Sequence, residues 1–361
     1  MLSRFTNETC DVWQHMKACN KPIVMYGMGN GADKILAVME KEGIEVADFF
    51  ASDGFVRGHS FHGKRVLSFS EVKEKYGDML IVLAFGSSLD DVMMRFFDIA
   101  RSYETVAPEV PLSGETLFTY DFACAHLDEL NAAYDLLADD ASRKLFCDLF
   151  SFKLTGKISY LENNATPERE LLDTFLKEKK VCSYLDLGAY SGDTVRMLLD
   201  AFDTVESVYA FEPDARSYKK LCAYAESEER ASVHAYPYAA WNRDETLIFS
   251  DAGNRNSALS GMGGTHMGKE RAVIAKAPDS VLKKAAIDYI KFDVEGAERE
   301  AIEGCKHLIV NNHPILAVCA YHRAEDLFSL PMQIHALDPT YRIYLRRPPY
   351  VPAWDARFYC I

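Results

Sequence analysis

Asp186-Leu-Gly-Ala-Tyr-Ser-Gly-Asp-Thr194 decides how this chain is read. The apolar run 181–187 leads into it as a buried strand and ends on an acid and a Gly-rich turn. A helical segment follows, and residues 207–211 read as a second strand that ends in Glu212-Pro213-Asp214. Two acids thus stand one strand–helix–strand unit apart, which is how a doubly wound sheet builds a nucleoside pocket. Glycines let backbone approach the ligand, the turn opens on a helix N-terminus, and an acid after the next strand can bind both ribose hydroxyls. Gly188 and Gly192 do not form a Gly-x-Gly-x-x-Gly array, so a pyrophosphate is not the obvious ligand. A nucleoside with an amino-acid tail, S-adenosylmethionine, fits better. Its expected contacts are Asp186, Gly188, Ala189, Tyr190, Ser191, Gly192, Asp193 and Thr194, with Glu212 and Pro213 from the second strand end.

A third strand ends in an acidic cluster at Asp288-Tyr-Ile-Lys-Phe-Asp-Val-Glu-Gly-Ala-Glu298. The three motifs, in this order, resemble the FkbM family of S-adenosylmethionine-dependent methyltransferases, over roughly residues 180–361. The resemblance implies S-adenosylmethionine as cofactor and methyl transfer to a hydroxyl of a sugar, glycan or related small molecule. It implies the reaction class better than the acceptor.

Ligands of open α/β sheets collect outside the carboxyl ends of the strands, so position assigns further roles. A strand over 233–236 leads to Ala240 and Trp241, expected near the adenine. The strand ending at Asp293 and a fifth over 315–321, ending at His322, bring an imidazole beside the acids. His322 is the first candidate for general base near neutral pH, and Asp293, also counted among the cofactor contacts, orients it or acts as base itself. Lys291 lies two residues before Asp293 and shares its face; pairing there would hold Asp293 ionised and favours His322. Tyr321 alternates to the other face and reads as core. Glu295 and Arg323 are candidate acceptor contacts, as are Asn256 and Ser257 from the Gly- and Asn-rich loop 251–266, a candidate flap. Asp293, Glu295 and Glu298 have the oxygen ligands of a magnesium or calcium site, but helix capping is the preferred reading and no metal is expected.

A competing claim comes from the N-terminal part. Residues 23–32 run from a strand into Gly27, Gly29 and Gly31, and Asp53 follows about twenty residues later, where a ribose ligand belongs. This resembles the Rossmann-like domains found beside sugar-modifying enzymes and offers a second nucleotide site. On it rest two alternatives: an NAD-dependent or nucleotide-sugar oxidoreductase, and a non-enzymatic nucleotide-responsive scaffold.

The expected architecture is α/β: a smaller Rossmann-like domain over 1–120, a helical connector over 121–165, and a class I methyltransferase sheet over 166–361 closed by an antiparallel hairpin. In the connector, Leu130, Tyr134 and Leu137, then Leu145, Leu149 and Phe152, give a helical period interrupted by Asp139-Asp140-Ala-Ser142, a cap signal. These helices pack, cover the pocket, or form an interface with a second copy; oligomeric state stays open. With 361 residues, 48% hydrophobic, the chain can bury a core in each of two domains. A net charge of −14 argues against nucleic-acid and anionic-membrane partners, although the Arg-rich run 342–347 is a local basic candidate. The nine cysteines show no metal spacing and read as reduced thiols; no run has the length of a membrane span, and the expected location is the cytoplasm.

Overall fold

The computed structural model describes residues 2–56, 58–251, 258–259, 269–283 and 285–361. Near the N-terminus, β1 (Ile23–Tyr26), β2 (Asp48–Ala51), β3 (Leu67–Ser68), β4 (Leu80–Leu83) and β5 (Glu104–Val106) pair in the order β3-β2-β1-β4-β5. All the pairings are parallel. Both faces of this sheet are covered, which is why β1 and β4 are unbroken apolar runs rather than alternating ones.

The second half contributes β6 (Ser183–Leu187), β7 (Ser207–Phe211), β8 (Ser232–Tyr236), β9 (Ala239–Ala240), β10 (Glu245–Asp251), β11 (Ala258–Leu259), β12 (Lys269–Lys276), β13 (Tyr289–Phe292), β14 (Ile315–Cys319), β15 (Ile343–Arg346) and β16 (Arg357–Cys360). Seven of these form a sheet in the order β8-β7-β6-β13-β14-β16-β15. Within it only β16 runs against its neighbours, so the expected terminal hairpin closes the edge. The strand order reverses between β6 and β13, and this switch point is where a doubly wound sheet opens its crevice. Register there pairs Lys291 with Asp186, side by side on adjacent strands.

A small sheet ordered β9-β12-β10-β11 flanks the main one. Its strand β12 is not evident in the sequence, because Lys269–Lys276 begins with three charged residues and offers only a short apolar run. The loop residues Asn256 and Ser257 lie outside the described residues.

The connector forms helices Tyr120–Ala125, Leu127–Asp135 and Asp140–Thr155. Asp139 caps the last of these, accepting from the Ser142 amide at 2.8 Å, as its sequence signal indicated. Arg346 then donates to Asp139 at 2.6 Å, locking the helix onto β15. Leu130, Leu145, Phe146 and Leu149 share one core with Val24 and Ile81 of the first sheet and with Ile290, Val318 and Phe358 of the second. The helices therefore bind the two sheets together, and none of their residues reaches the cavity described below. The Arg-rich run forms no patch: Arg346 is used at Asp139, and Arg347, 1% exposed, donates to Asn164 at 2.8 Å and to the Tyr350 carbonyl.

The carboxyl rims of the two sheets meet. Just past β4, Ser87 bridges to Val351 through an amide–carbonyl bond of 2.9 Å, and a Cβ on Gly86 would lie 2.7 Å from Tyr350 and 3.0 Å from Trp354. That glycine lets the first domain seat against the loop that precedes β16, on the rim of the larger sheet.

Candidate active site

A cavity of about 460 Å³ opens at the carboxyl ends of β6, β7 and β13. The turn after β6 supplies Gly188, Tyr190, Asp193 and Thr194 to its wall. Gly188 has φ +87°, and a Cβ there would stand 1.9 Å from the Asp293 carbonyl oxygen. The glycine thus allows two strand-end loops to touch, a constraint separate from the ligand approach expected of it. Gly192, also left-handed at φ +84°, packs under Tyr224, while Ala189 is fully buried; neither these two nor Ser191 is on the wall.

Glu212 follows β7 and is 7% exposed. Its two oxygens each accept one backbone amide, from Tyr190 at 2.9 Å and from Asp214 at 2.7 Å. A carboxylate has about four lone-pair positions, so two remain for hydroxyls in the cavity. Burial pushes its carboxyl up to about 7 even though the two amides favour the ionised form. Pro213 lies beside it on the wall, and Tyr238, Ala239 and Ala240 form the adjoining side. Trp241 is not there. Its indole turns away and donates to Glu245 at 2.6 Å, so Tyr238 takes the aromatic position expected for Trp241.

Behind the wall runs a buried charge chain. Thr194 donates to Asp186, which is fully buried, and the Lys291 ammonium lies 3.4 Å from Asp186 and 3.2 Å from Asp293. Burial works against the Lys291 charge, yet Asp186 and Asp293 outweigh it and hold its pKa above the ordinary value. Burial would likewise raise Asp293, but Lys291 and His322 keep it well below the carboxylate range. Asp293 therefore stays ionised, as its pairing with Lys291 implies, and makes a poor proton acceptor. The Tyr321 hydroxyl donates to it at 3.1 Å from the cavity wall. Placing Tyr321 in the core was an error of extrapolation: β14 ends at Cys319, so strand alternation no longer applies two residues later.

His322 also departs from expectation. It is fully buried, absent from the cavity wall, and surrounded by acids, with Nδ1 3.0 Å from Glu298 and Nε2 3.7 Å from both Asp293 and Glu295. Burial opposes its charge, but Glu298, Glu295 and Asp293 raise it to about 10. An imidazolium so placed holds its proton at neutral pH and does not fit the role of general base. Glu295 is on the wall, with left-handed backbone at φ +56°, the kind of strain that collects at functional sites. Burial, with Asp293 and Glu298 adding repulsion, brings its carboxyl to about 8. Arg323 does not face the cavity; its Nε donates to the Gly296 carbonyl at 2.7 Å and braces the turn that carries Glu295.

The sequence reading missed the residues that close the cavity from afar: Leu112, Glu168, Tyr350, Trp354, Asp355 and Arg357. Arg357 pairs with Glu168 at 2.6 Å, and the Tyr350 and Trp354 rings lie 5.4 Å apart. Only Arg357, a charged residue opening an otherwise apolar strand, offered a local signal.

The first Gly-rich turn is built differently. Gly27 and Gly29 have φ +113° and +108°, and a Cβ on Gly31 would lie 2.5 Å from the Ala84 carbonyl, so Gly31 serves helix–strand packing. Asp53 is exposed and accepts from Ser70 through its amide at 3.2 Å and its hydroxyl at 2.8 Å. Its oxygens are spent at the first turn of helix Phe69–Tyr76, whose N-cap is Ser68, rather than on the Gly-rich turn.

Residues 186–342 match the family model described as the methyltransferase FkbM domain. Over these residues the chain is similar to the FkbM methyltransferase domain. The crystal structure of the FkbM methyltransferase from Methylobacillus flagellatus KT aligns with all of the chain and 92% of its own length, at 18% identity and a TM-score of 0.69. That likeness extends the shared fold to the N-terminal sheet, outside the matched residues. A putative rRNA methylase from Clostridium thermocellum covers 53% of the chain and 90% of its own length, at 9% identity and a TM-score of 0.34. Among curated proteins none matches the chain. Within the matched residues 186–342 fall the turn after β6, Glu212, Asp293, Glu295 and His322; Trp354, Asp355 and Arg357 lie beyond them. No helix among the described residues is long and apolar enough to cross a membrane.

Proposed function

We propose that the protein is an S-adenosylmethionine-dependent O-methyltransferase whose acceptor is a hydroxyl of a sugar or glycan-like small molecule. The observation that carries the cofactor assignment is Glu212, a buried carboxylate fixed by two amides on the cavity wall with acceptor capacity to spare. Glu212 would bind the ribose hydroxyls, Tyr238 and Ala240 would flank the base, and the turn from Gly188 to Thr194 would hold the amino-acid end. Bound there, the cofactor supplies an activated sulfonium methyl.

The chain's own part in the reaction is to bind, orient and deprotonate the acceptor. Beside the methyl-acceptor space, Asp293 is paired with Lys291 and His322 lies off the wall, which leaves Glu295, once ionised above about pH 8, to take the hydroxyl proton. Tyr321 and Asp293 would hold the hydroxyl's neighbours in place. The sugar reading rests on the mouth: Tyr350 and Trp354 offer an aromatic platform for C–H faces, beside Asp355 and Glu168, whose carboxylates accept from ring hydroxyls.

The test is transfer of an isotopically labelled methyl group to a panel of sugars and nucleotide sugars. Glu295→Gln should lower kcat by roughly a hundredfold with cofactor affinity retained, the loss expected when a general base is removed. Full turnover in a folded Glu295→Gln protein would remove it from the chemistry, and failure of wild type to bind S-adenosylmethionine would remove the whole assignment.

A further inference from the structure

On the side of the acidic turn away from the cavity, three ligand-type side chains converge from separate elements. Glu298 opens the helix Glu298–Gly304, His322 follows β14, and Asp326 opens the helix Asp326–Leu337. Each is 1% exposed or less, and one ligand atom from each lies within 4.8 Å of the other two. Their bonding is divided. One Glu298 oxygen accepts from the Val294 amide at 2.9 Å, and one Asp326 oxygen accepts from the Arg323 amide at 2.8 Å. Glu298 Oε2 and His322 Nε2 have no hydrogen-bond partner among the described residues, and His322 Nδ1 has only its ion-pair contact with Glu298 Oε1 at 3.0 Å.

We infer that Glu298, His322 and Asp326 bind a divalent cation of the manganese-to-zinc series. Burying polar atoms without partners costs free energy, and two carboxylates side by side repel unless a positive charge lies between them. A cation bound by Glu298 Oε2, His322 Nδ1 and the second Asp326 oxygen would displace the proton that His322 holds in its absence, take over that positive charge among the acids, and satisfy the unpartnered Glu298 oxygen. The amides already on the other two oxygens are the outer partners that orient ligating carboxylates. One imidazole with two carboxylates is too nitrogen-rich for calcium and lacks the thiolates that select copper(I), which leaves manganese, iron and zinc. The ion would tie the turn bearing Glu295 to β14 and to the following helix. Its place behind the wall makes it a fixing element and not a contact of the methyl acceptor, so the inference stands apart from the proposed transfer reaction.

The experiment is calorimetric titration of chelator-treated full-length protein with Mn²⁺ and with Zn²⁺. One equivalent should bind with micromolar or tighter affinity and raise the melting temperature. Asp326→Asn and Glu298→Gln should each weaken binding by at least thirtyfold while the chelator-treated variants melt near wild type. Where a variant does not fold, zinc-edge X-ray absorption on wild type decides: light-atom ligands that include one imidazole support the site, and sulfur ligation overturns it. Absence of binding to folded wild type up to millimolar metal overturns it as well, as does unchanged affinity in both variants.

Discussion

The molecule contains two Gly-rich turns on two parallel sheets, and they differ in what the acid of each unit does. After β2, Asp53 is exposed and uses its oxygens on Ser70. After β7, Glu212 is buried, held by two amides, and faces a cavity. The glycines differ in the same sense: a Cβ on Gly29 would meet nothing within 4 Å, whereas one on Gly188 would strike the Asp293 carbonyl. A glycine pattern therefore reports a tight turn, and the use of the acid tells a shaped turn from a ligand site.

Glycine substitutions give the largest expected contrast. Gly29→Ala should cost about 1–3 kcal/mol from its backbone conformation alone. Gly188→Ala adds a backbone clash to similar strain and should exceed about 4 kcal/mol. Thermal unfolding compares the two, and equal losses would show that the loop contact at Asp293 can relax.

Next come the lysines near each turn. Lys291 is buried between Asp186 and Asp293, so Lys291→Met should cost about 3–5 kcal/mol by leaving two carboxylates uncompensated. Lys34, on the helix after the first turn, donates a long bond of 3.5 Å to the Leu112 carbonyl, and burial lowers its pKa against the opposing charge of Glu295. Lys34→Met should change stability by less than about 1 kcal/mol in chemical denaturation.

The smallest contrast is one of pH. If only ionised Glu212 binds ribose hydroxyls, its value of about 7 makes affinity for S-adenosylmethionine roughly tenfold weaker at pH 6 than at pH 8, read by titration at both. The sign for stability is opposite. Because the folded value is raised, Glu212's contribution to the ligand-free protein is fully present below about 4.5 and is lost as pH rises through about 7. A flat affinity profile would mean that Glu212 is ionised throughout, or not in the pocket.

The sequence showed most of the large sheet because parallel strands buried on both faces are long apolar runs, and their acidic ends are local signals. It showed less of β12, whose charged half hides its period, and it carried alternation past the end of β14 into Tyr321. Trp241 was placed by proximity to a strand end, although one residue decides whether a side chain enters the cavity or turns to Glu245. Leu112, Tyr350 and Trp354 reach the site only through tertiary closure of the first domain's rim on the loop before β16, and spacing along the chain carries no trace of that. Burial also reversed the part assigned to His322: an imidazole ringed by three acids is a fixed cation, which no residue pattern announces.

Calorimetric titration of S-adenosylmethionine into wild type, Glu212→Gln and Asp53→Asn tests the difference between the two turns most directly. Asp53→Asn should bind like wild type, and Glu212→Gln should bind at least about tenfold more weakly, the difference expected for hydrogen bonds to a charged acceptor. Wild-type affinity in folded Glu212→Gln, with binding lost in folded Asp53→Asn, would place the cofactor on the first sheet and contradict the account.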